Sequence, residues 1–250
     1  MAGRALPAGL VARRGWRTAR LASFREETPT ARTLVLEVPG WPGHLAGQHV
    51  DVRLTAEDGY SAERAYSLAG PAVGERIELT VQALPDGEVS PFLAGAFALG
   101  DPVEIRGPVG GWFTWRPEET APVLLVAGGS GVVPLAAMVR ARRASGSRAG
   151  FRLVYSVRTP EDVFYREELT RPVVDGVETT VLFTRAAPPG ASRGPGRITA
   201  ADLGAHGWPP EFEPHCFVCG PTGFVETVAD ILVAVGHSPD RIKTERFGGR

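Results

Sequence analysis

The chain has 250 residues, of which 43% are hydrophobic and 22% are charged, a composition typical of folded soluble proteins. Its 27 basic and 28 acidic residues leave a net charge of -1, so no overall field would attract nucleic acid or an anionic membrane surface. The longest apolar runs, Val123 to Ala127 and Ile231 to Val235, are far shorter than the ~20 residues that cross a bilayer. We therefore predict a protein that neither binds nucleic acid nor inserts into a membrane. Its two cysteines cannot supply a disulfide framework, which predicts a reducing, cytoplasmic location.

The first half of the chain alternates short apolar runs with turn residues such as Pro39-Gly40, Asp58-Gly59 and Asp86-Gly87. This alternation predicts strands of an antiparallel barrel or sandwich. The predicted strands are Thr33 to Val38, His49 to Leu54, Ile77 to Ala83 and Pro102 to Arg106.

The second half changes rhythm, because buried apolar runs there alternate with helical stretches, as is typical of a doubly wound parallel sheet. Its predicted elements are the strands Val123 to Ala127, Phe151 to Val157, Glu178 to Thr184 and Phe217 to Cys219, and a helix from Leu135 to Ala144. We therefore divide the chain into a flexible basic tail (residues 1–15), a barrel domain (16–116), a linker (117–121) and an α/β domain (122–250).

A glycine-rich turn, Gly128 to Pro134, follows the first strand of the α/β domain and opens a helix. Main-chain N–H groups and the helix dipole at such a turn can hold a pyrophosphate. The turn departs from the G-x-G-x-x-G fingerprint because Pro134 takes the last position, and a tight turn without a ligand stays open as an alternative. No Gly-Lys-Ser/Thr follows, and Val132 stands where a hydrolase nucleophile elbow needs glycine, so both of those chemistries are excluded.

Arg64-Ala65-Tyr66-Ser67 stands just before a turn in the barrel half. Strand alternation places Arg64 and Tyr66 on one face and Ser67 on the other. A flat ring that carries a phosphate would use such a set, with Tyr66 to stack, Arg64 to bind the phosphate and Ser67 to hydrogen-bond a heteroatom.

Cys216 and Cys219 are the only cysteines, too few for a disulfide framework or for the four thiolates of a plant-type iron–sulfur cluster. Any iron–sulfur partner is therefore expected to be another protein. The Cys-x-x-Cys spacing leaves a redox dithiol or half of a zinc site as alternatives, but His215 alone is adjacent. Phe217 and Val218 favour a buried strand, and we predict no metal site.

Six motifs stand in one order along the chain: Arg64-Ala65-Tyr66-Ser67, Gly87-Glu88-Val89-Ser90, Gly107-Pro108-Val109-Gly110-Gly111, Gly128 to Pro134, Cys219-Gly220-Pro221 and Glu245-Arg246-Phe247. Their order and spacing resemble the ferredoxin–NADP reductase superfamily, and most of all its stand-alone bacterial ferredoxin-reductase-like members. The resemblance implies an N-terminal, flavin-binding antiparallel Greek-key β-barrel. It implies a C-terminal α/β domain with a doubly wound parallel sheet that binds a nicotinamide dinucleotide.

In the barrel domain, the resemblance implies that Arg64 contacts the flavin phosphate, that Tyr66 stacks on the isoalloxazine and that Ser67 lies at the flavin N5 position. It further implies that the flavin pyrophosphate is held by the segment Gly87, Val89 and Ser90, and that Val81 lies near the adenine.

In the α/β domain, the resemblance implies that the dinucleotide pyrophosphate is cradled by Gly128, Gly129, Gly131 and Pro134. Cys219, Gly220 and Pro221 would border the nicotinamide. Ser67, Cys219 and Glu245 are the expected catalytic residues, and Phe247 would cover the flavin face that the nicotinamide must reach. Three residues, Gly248 to Arg250, continue past this aromatic residue, unlike family members that end on it.

The cofactor preference depends on the end of the second strand of the α/β domain. No acidic residue stands there to bind a ribose hydroxyl, whereas Ser156, Arg158, Tyr165 and Arg166 could hold a 2'-phosphate. NADPH is therefore favoured, with NADH as the alternative. The choice of FAD over FMN comes from the resemblance alone.

The resemblance implies an FAD-dependent NAD(P)H oxidoreductase that passes hydride from NADPH to the flavin and then single electrons to an external redox protein. Such an acceptor would be a ferredoxin, a haem protein or a molybdenum protein. Two alternatives stay open. One is a flavin reductase or NAD(P)H oxidase without a dedicated protein acceptor, and the other is a non-catalytic dinucleotide-binding regulatory module.

Overall fold

A computed structural model describes residues 15–169, 175–191 and 193–247 of the chain. The predicted basic tail, apart from Gly15, and the last three residues lie outside these ranges. The strands are β1 (Trp16–Thr28), β2 (Ala31–Glu37), β3 (His49–Thr55), β4 (Ser61–Ser67), β5 (Arg76–Gln82), β6 (Pro102–Val109), β7 (Val123–Gly128), β8 (Phe151–Val157), β9 (Val177–Phe183), β10 (His215–Pro221) and β11 (Ile242–Phe247). The α-helices are α1 (Val132–Ser145), α2 (Arg166–Leu169), α3 (Ala200–His206) and α4 (Thr222–Ala234).

The first six strands form one antiparallel sheet in the order β4-β3-β6-β1-β2-β5. Its two edges meet at a bridge between Leu68 and Leu79, next to a hydrogen bond from the Ala69 N–H to the Glu78 carbonyl at 2.8 Å. The sheet therefore closes on itself as a barrel, which leaves no long exposed edge for pairing with another chain. Inward-facing aliphatic side chains such as Leu34, Val52 and Leu79 fill the barrel because side chains alternate along each strand.

The last five strands form a parallel sheet in the order β11-β10-β7-β8-β9. The chain adds strands outward from β7 in one direction and then returns to its other side, so the strand order reverses between β7 and β10. In sheets of this kind, ligands bind at the carboxyl ends of the strands beside that reversal. The Gly128 turn follows β7 and Gly220-Pro221 ends β10, so both predicted dinucleotide segments lie at this point.

The parallel sheet is covered on both faces. One face packs against α1 and against Phe113 and Trp115 of the barrel domain, and the other packs against α3 and α4. Helix α1 therefore contributes to a core that the two domains share. The described residues include no helix long and apolar enough to cross a membrane.

The structure confirms the two-domain fold, with differences at individual elements. The predicted strands are present within a few residues of their expected bounds, and the helix expected at Leu135 begins three residues earlier. Sequence patterns did not indicate β1, β11 or α3. The described parts of β1 and β11 are half-exposed and rich in charged residues, so they lack an apolar run.

Candidate functional site

A hydrogen bond joins the two domains where β4 and β11 end. The Ser67 hydroxyl donates to Glu245 Oε1 at 3.2 Å, although 178 positions separate the two residues. Glu245 is paired in register with Cys219 on β10, and an added Cβ at Gly131 would lie 2.2 Å from the Cys219 carbonyl oxygen. Ser67, Glu245, Cys219 and the glycine-rich turn thus form one continuous set of neighbours. The three predicted catalytic residues come together, and they adjoin the predicted dinucleotide segment.

The carboxyl of Glu245 is largely buried, although the residue lies on β11, an edge strand of the parallel sheet. Burial raises the pKa of Glu245 from its ordinary value of 4.5 to about 7, and the hydrogen bond from Ser67 only partly opposes that shift. The group therefore exchanges a proton near neutral pH. Burial, followed by the nearby Glu245 carboxylate, raises the pKa of the Cys219 thiol well above its ordinary value, so Cys219 stays a neutral thiol.

The two cysteines belong to different cores. Cys219 packs in the core between the sheet and the barrel domain, whereas Cys216 packs in the core on the opposite face of the sheet. Both are free and buried. Because three positions along a strand reverse the side-chain direction, they do not meet as a dithiol. The alternative of a redox dithiol is therefore wrong.

The predicted flavin cradle is a group of side chains at the rim of the barrel. Tyr66 is half-buried, and burial raises the pKa of its phenol to about 12, while the charge of Arg64 and the Ser90 hydroxyl act in the opposite direction. Arg64 is exposed and forms an ion pair with Glu88 at 2.9 Å. Glu88 also accepts a hydrogen bond from the Tyr60 hydroxyl at 2.6 Å. Sequence reasoning did not predict that a carboxylate would form an ion pair with the arginine that is expected to bind phosphate.

Two predicted contacts do not come from side chains. Val81 and Val89 are both fully buried in the barrel core, so any contact they make with a flavin would come from the main chain. The turn before Ser90 is tight, because an added Cβ at Gly87 would lie 2.7 Å from the Ser90 hydroxyl. Within the described chain, the N–H groups of Glu88, Val89 and Ser90 donate to no main-chain acceptor outside regular elements.

In the glycine-rich turn, three glycines have three different reasons to be glycine. An added Cβ at Gly128 would meet the Phe224 ring at 2.7 Å, and one at Gly131 would meet the main chain of β10. Gly129 has a positive φ of 54° with open space around it. Packing against protein atoms therefore requires glycine at 128 and 131, a reason that sequence reasoning did not indicate, and their contact with a pyrophosphate stays a prediction. Pro134 lies in the first turn of α1, where a missing N–H costs little.

The segments that would border the nicotinamide lie at the same edge of the sheet. Pro221 is exposed, Gly220 is buried, and Pro221 is paired in register with Phe247. Phe247 is partly buried and packs against the core that contains Cys219.

The residues predicted to hold a 2'-phosphate separate into two groups. Ser156 is paired in register with Gly128, and Arg158 is exposed just past the end of β8. Tyr165 instead is buried at the domain interface, where its hydroxyl donates to Thr80 at 2.5 Å. Tyr165 therefore cannot serve as an open phosphate ligand. Arg166 is exposed and hydrogen-bonded to the Pro160 carbonyl.

Arg185 joins this edge from the next strand, a residue that sequence reasoning missed. Its N–H donates to the Arg158 carbonyl at 2.9 Å, and both arginines are exposed at the carboxyl ends of β8 and β9. Among the side chains described, neither guanidinium makes an ion pair. Two arginines therefore adjoin through their main chains at the edge where the 2'-phosphate was expected, a neighbourhood that only strand pairing reveals.

Comparisons with known proteins agree with this arrangement. Residues 19–114 match the oxidoreductase FAD-binding domain, and residues 125–230 match the oxidoreductase NAD-binding domain. A ferredoxin–NADP reductase B of Sorangium cellulosum is 33% identical over 241 residues, which cover 92% of this chain and 96% of that protein. The chain belongs to the ferredoxin–NADP reductase family. The two matched models describe an FAD-binding and an NAD-binding oxidoreductase domain, so FAD and a nicotinamide dinucleotide are its cofactors.

Other relatives of this reductase are parts of oxygenase systems. A naphthalene 1,2-dioxygenase/salicylate 5-hydroxylase reductase component of Ralstonia is 29% identical over 80% of this chain and 60% of its own length. A propane 2-monooxygenase reductase component of Rhodococcus jostii is 25% identical, over 92% of this chain and 62% of its own length. The chain therefore spans about 60% of the length of these oxygenase relatives. A Neisseria gonorrhoeae ferredoxin NADP+ reductase, solved with bound FAD and NADP, shares the fold with a TM-score of 0.80 at 20% identity, covering 94% of this chain and 99% of that one.

The reductase's own residues fit an FAD at the barrel rim. A flat ring would have Tyr66 to stack on, and a phosphate would have Arg64 and the N–H groups of residues 88–90, which donate to no described main-chain acceptor outside regular elements. Ser67 lies toward the α/β domain. The fit requires one rearrangement, because a phosphate at Arg64 would meet the Glu88 carboxylate. Of these residues, the structure joins Ser67 to Glu245 across the two domains, and a flavin bridging Tyr66 and that contact stays a prediction.

Proposed function

We propose that this reductase takes electrons from NADPH through FAD and passes them singly to an external redox protein. The observation that carries the proposal is the contact between Ser67 and Glu245, at 3.2 Å, beside Cys219 and the glycine-rich turn. A flavin on Tyr66 and a nicotinamide against Cys219 would share this one cleft. Holding two rings in fixed contact removes much of the entropic barrier to their reaction.

The side chains of the cleft supply positioning and one exchangeable proton. Bound FAD supplies the chemistry they lack, since it accepts two electrons together from a reduced nicotinamide and releases them one at a time. Ser67 presents its hydroxyl in an orientation that Glu245 Oε1 holds. Glu245 carries or releases a proton at neutral pH because its pKa is raised to about 7. Cys219, fully buried beside Glu245, adds no charge to this site and leaves no room for water there.

We propose NADPH as the preferred donor. Arg158 and Arg185 stand together at the strand ends, without an acidic partner among the described ion pairs, and Ser156 lies behind them next to Gly128. Arginine pairs of this kind favour a 2'-phosphate over a bare ribose hydroxyl. Arg158→Ala and Arg185→Ala are each expected to lower kcat/KM for NADPH about 10-fold and to leave NADH within about 2-fold. An equal loss with both donors would contradict the assignment. Arg148→Ala provides the matched control, since Arg148 is an exposed arginine between α1 and β8, before the amino end of that strand.

The acceptor is proposed to be a separate one-electron protein, such as a ferredoxin, a haem protein or a molybdenum protein. The names of the relatives support this class, since they are reductase components of dioxygenase and monooxygenase systems. In these 250 residues, two cysteines cannot supply the four thiolates of an iron–sulfur cluster.

An anaerobic titration tests the proposal directly. Purified protein with FAD should lose its oxidised-flavin absorption on addition of NADPH, and should then reduce an added ferredoxin. Protein that binds NADPH without bleaching would be a regulatory module. Bleaching followed by peroxide formation that added ferredoxin or haem protein leaves unchanged would instead identify an oxidase or a flavin reductase.

A further inference from the structure

Arg140, in the third turn of α1, crosses from the α/β domain to the barrel. Its side chain is only 15% exposed, and Nη1 donates to the Ala69 carbonyl at 2.7 Å and to Glu78 Oε2 at 3.3 Å. Ala69 and Glu78 are also the pair whose main chains close the barrel. A charged side chain from the α/β domain therefore binds the barrel at its seam, the place where the two edges of its sheet meet.

Glu168 of α2 holds this arginine in place. Both of its oxygens accept from Arg140 Nε, at 3.1 and 3.0 Å, and Oε2 also accepts from Nη2 at 2.6 Å. The guanidinium lies 4.5 Å from the centre of the Tyr165 ring. Two-point carboxylate binding and stacking use the planar guanidinium in a way that a lysine ammonium cannot reproduce.

Tyr165 makes a second link between the domains. Its hydroxyl donates to Thr80 at 2.5 Å, and its N–H donates to Glu27 Oε2 at 3.0 Å. Thr33 connects these partners, at 2.7 Å from Thr80 and 2.7 Å from Glu27. Tyr165 has a positive φ of 55°, which is uncommon for a non-glycine residue, so the surrounding contacts must hold its backbone. The network thus joins three barrel strands to the α/β domain without a break.

Arg140 and its barrel partner Ala69 are both close in sequence to residues of the proposed reaction site. Ala69 stands two residues after Ser67, and α1 begins at Val132, within the glycine-rich turn. We infer that Arg140 and Tyr165 are positioning residues that set the distance between the Ser67 end of the barrel and the dinucleotide turn. The inference rests on the proposed function. A change of about 1 Å in such a distance can slow a reaction about 100-fold without weakening binding.

The test compares three variants with a matched control in the FAD-loaded full chain. Arg140→Gln removes both the charge and the two-point binding of Glu168. Arg140→Lys keeps the charge but loses the planar guanidinium. Tyr165→Phe removes only the hydrogen bond from the hydroxyl to Thr80. The control is Arg143→Gln, on the same helix. Its arginine binds Asp175 at 2.6 Å and Glu168 Oε1 at 3.4 Å but makes no barrel contact among the described hydrogen bonds, so this variant perturbs Glu168 without removing the link to the barrel.

Stopped-flow reduction by NADPH separates the limiting rate from the nucleotide Kd. Arg140→Gln is expected to lower the limiting rate about 10- to 100-fold and to keep Kd within about 2-fold. Its isotope effect with NADPH deuterated at nicotinamide C4 should rise. Arg140→Lys and Tyr165→Phe should each lose less, and Arg143→Gln should match the wild type. An unchanged limiting rate in Arg140→Gln, or an equal loss in the control, would overturn the inference.

Hydrogen exchange gives a measurement that does not depend on turnover. The amides of residues 67–70 should exchange faster in Arg140→Gln than in the wild type or in Arg143→Gln, while the thermal midpoints of the two variants stay close together. Unchanged exchange at 67–70 would contradict the positioning role. If the wild type binds NADPH but is never reduced, the proposed function fails, and the exchange data still decide whether Arg140 orders the Ser67 segment.

Discussion

The two proposed cofactor cradles of this reductase are built in different ways. The proposed barrel cradle consists of side chains at a rim, where Arg64 and Glu88 are exposed and form an ion pair and Tyr66 is half-buried. The dinucleotide cradle consists of main chain, where Gly128 and Gly131 press against Phe224 and the end of β10. The first can change one residue at a time with a local effect on affinity. The second cannot, because its shape is part of the packing of the sheet.

The two proposed cradles meet at the hydrogen bond between Ser67 and Glu245. This bond joins side chains, unlike the main-chain turn, and is partly buried, unlike the barrel rim. Each residue comes from the end of a strand in a different domain, and burial in the cleft raises the pKa of Glu245 to about 7. The chemistry of the site therefore depends on contact between the domains.

The largest expected effect is at this contact. Glu245→Gln keeps a hydrogen-bond acceptor for Ser67 but cannot move a proton, so we expect flavin reduction by NADPH to slow about 100-fold. Stopped-flow absorbance at several pH values would measure it. The pH dependence of the rate should flatten in the variant. A rate within about 2-fold of the wild type would show that the proton of Glu245 plays no part.

The same carboxyl should make stability depend on pH. Its pKa is raised from 4.5 to about 7 in the folded protein, so protonated Glu245 favours folding below pH 4.5 and this contribution is lost as the pH rises through 7. The free energy of unfolding of the wild type relative to Glu245→Gln should fall by on the order of 2 kcal/mol between about pH 5 and 8. Urea titrations at each pH measure it, and a difference that rises with pH would contradict the assignment.

Two alanine substitutions compare two glycines of the glycine-rich turn, one packed against β10 and one in open space. Gly131→Ala would place Cβ 2.2 Å from the Cys219 carbonyl oxygen and is expected to lower the free energy of unfolding by about 2 to 3 kcal/mol. Gly129→Ala has open space and only its positive φ to strain it, so about 1 kcal/mol is expected. Chemical denaturation followed by intrinsic fluorescence compares them. Equal losses would mean that packing against β10 does not decide the shape of this turn.

The smallest expected effect is at the rim of the barrel. Glu88→Gln removes the carboxylate that pairs with Arg64, so FAD should bind about 3-fold more tightly, and added salt should reduce the gain. Glu63→Gln is the control, since its carboxylate pairs with Arg53 and Arg106 instead. Flavin-fluorescence titration of flavin-free protein gives both affinities. Weaker binding in Glu88→Gln would indicate that Glu88 helps to orient Arg64.

Most of the fold could be predicted because it follows from local patterns. Alternating runs such as His49 to Leu54 indicate half-buried strands, and the apolar run at Val123 indicates a strand buried on both faces. Strand β11 could not be predicted because its residues are half-exposed and, among the strands the structure describes, it pairs with β10 alone. The role first given to Tyr165 was wrong for a similar reason, since nothing local shows that a tyrosine after a buried strand turns toward the other domain.

By itself, the sequence determined the order of the domains, the kinds of cradle and the residues that stand at strand ends, because periodicity and turn chemistry act over a few residues. Only the tertiary structure decided which strand ends face each other. It placed Glu245 against Ser67, Arg185 beside Arg158, and Arg140 across the seam of the barrel. These contacts join residues far apart in the chain, and their pKa shifts and ion pairs arise from burial that only the packed domains create.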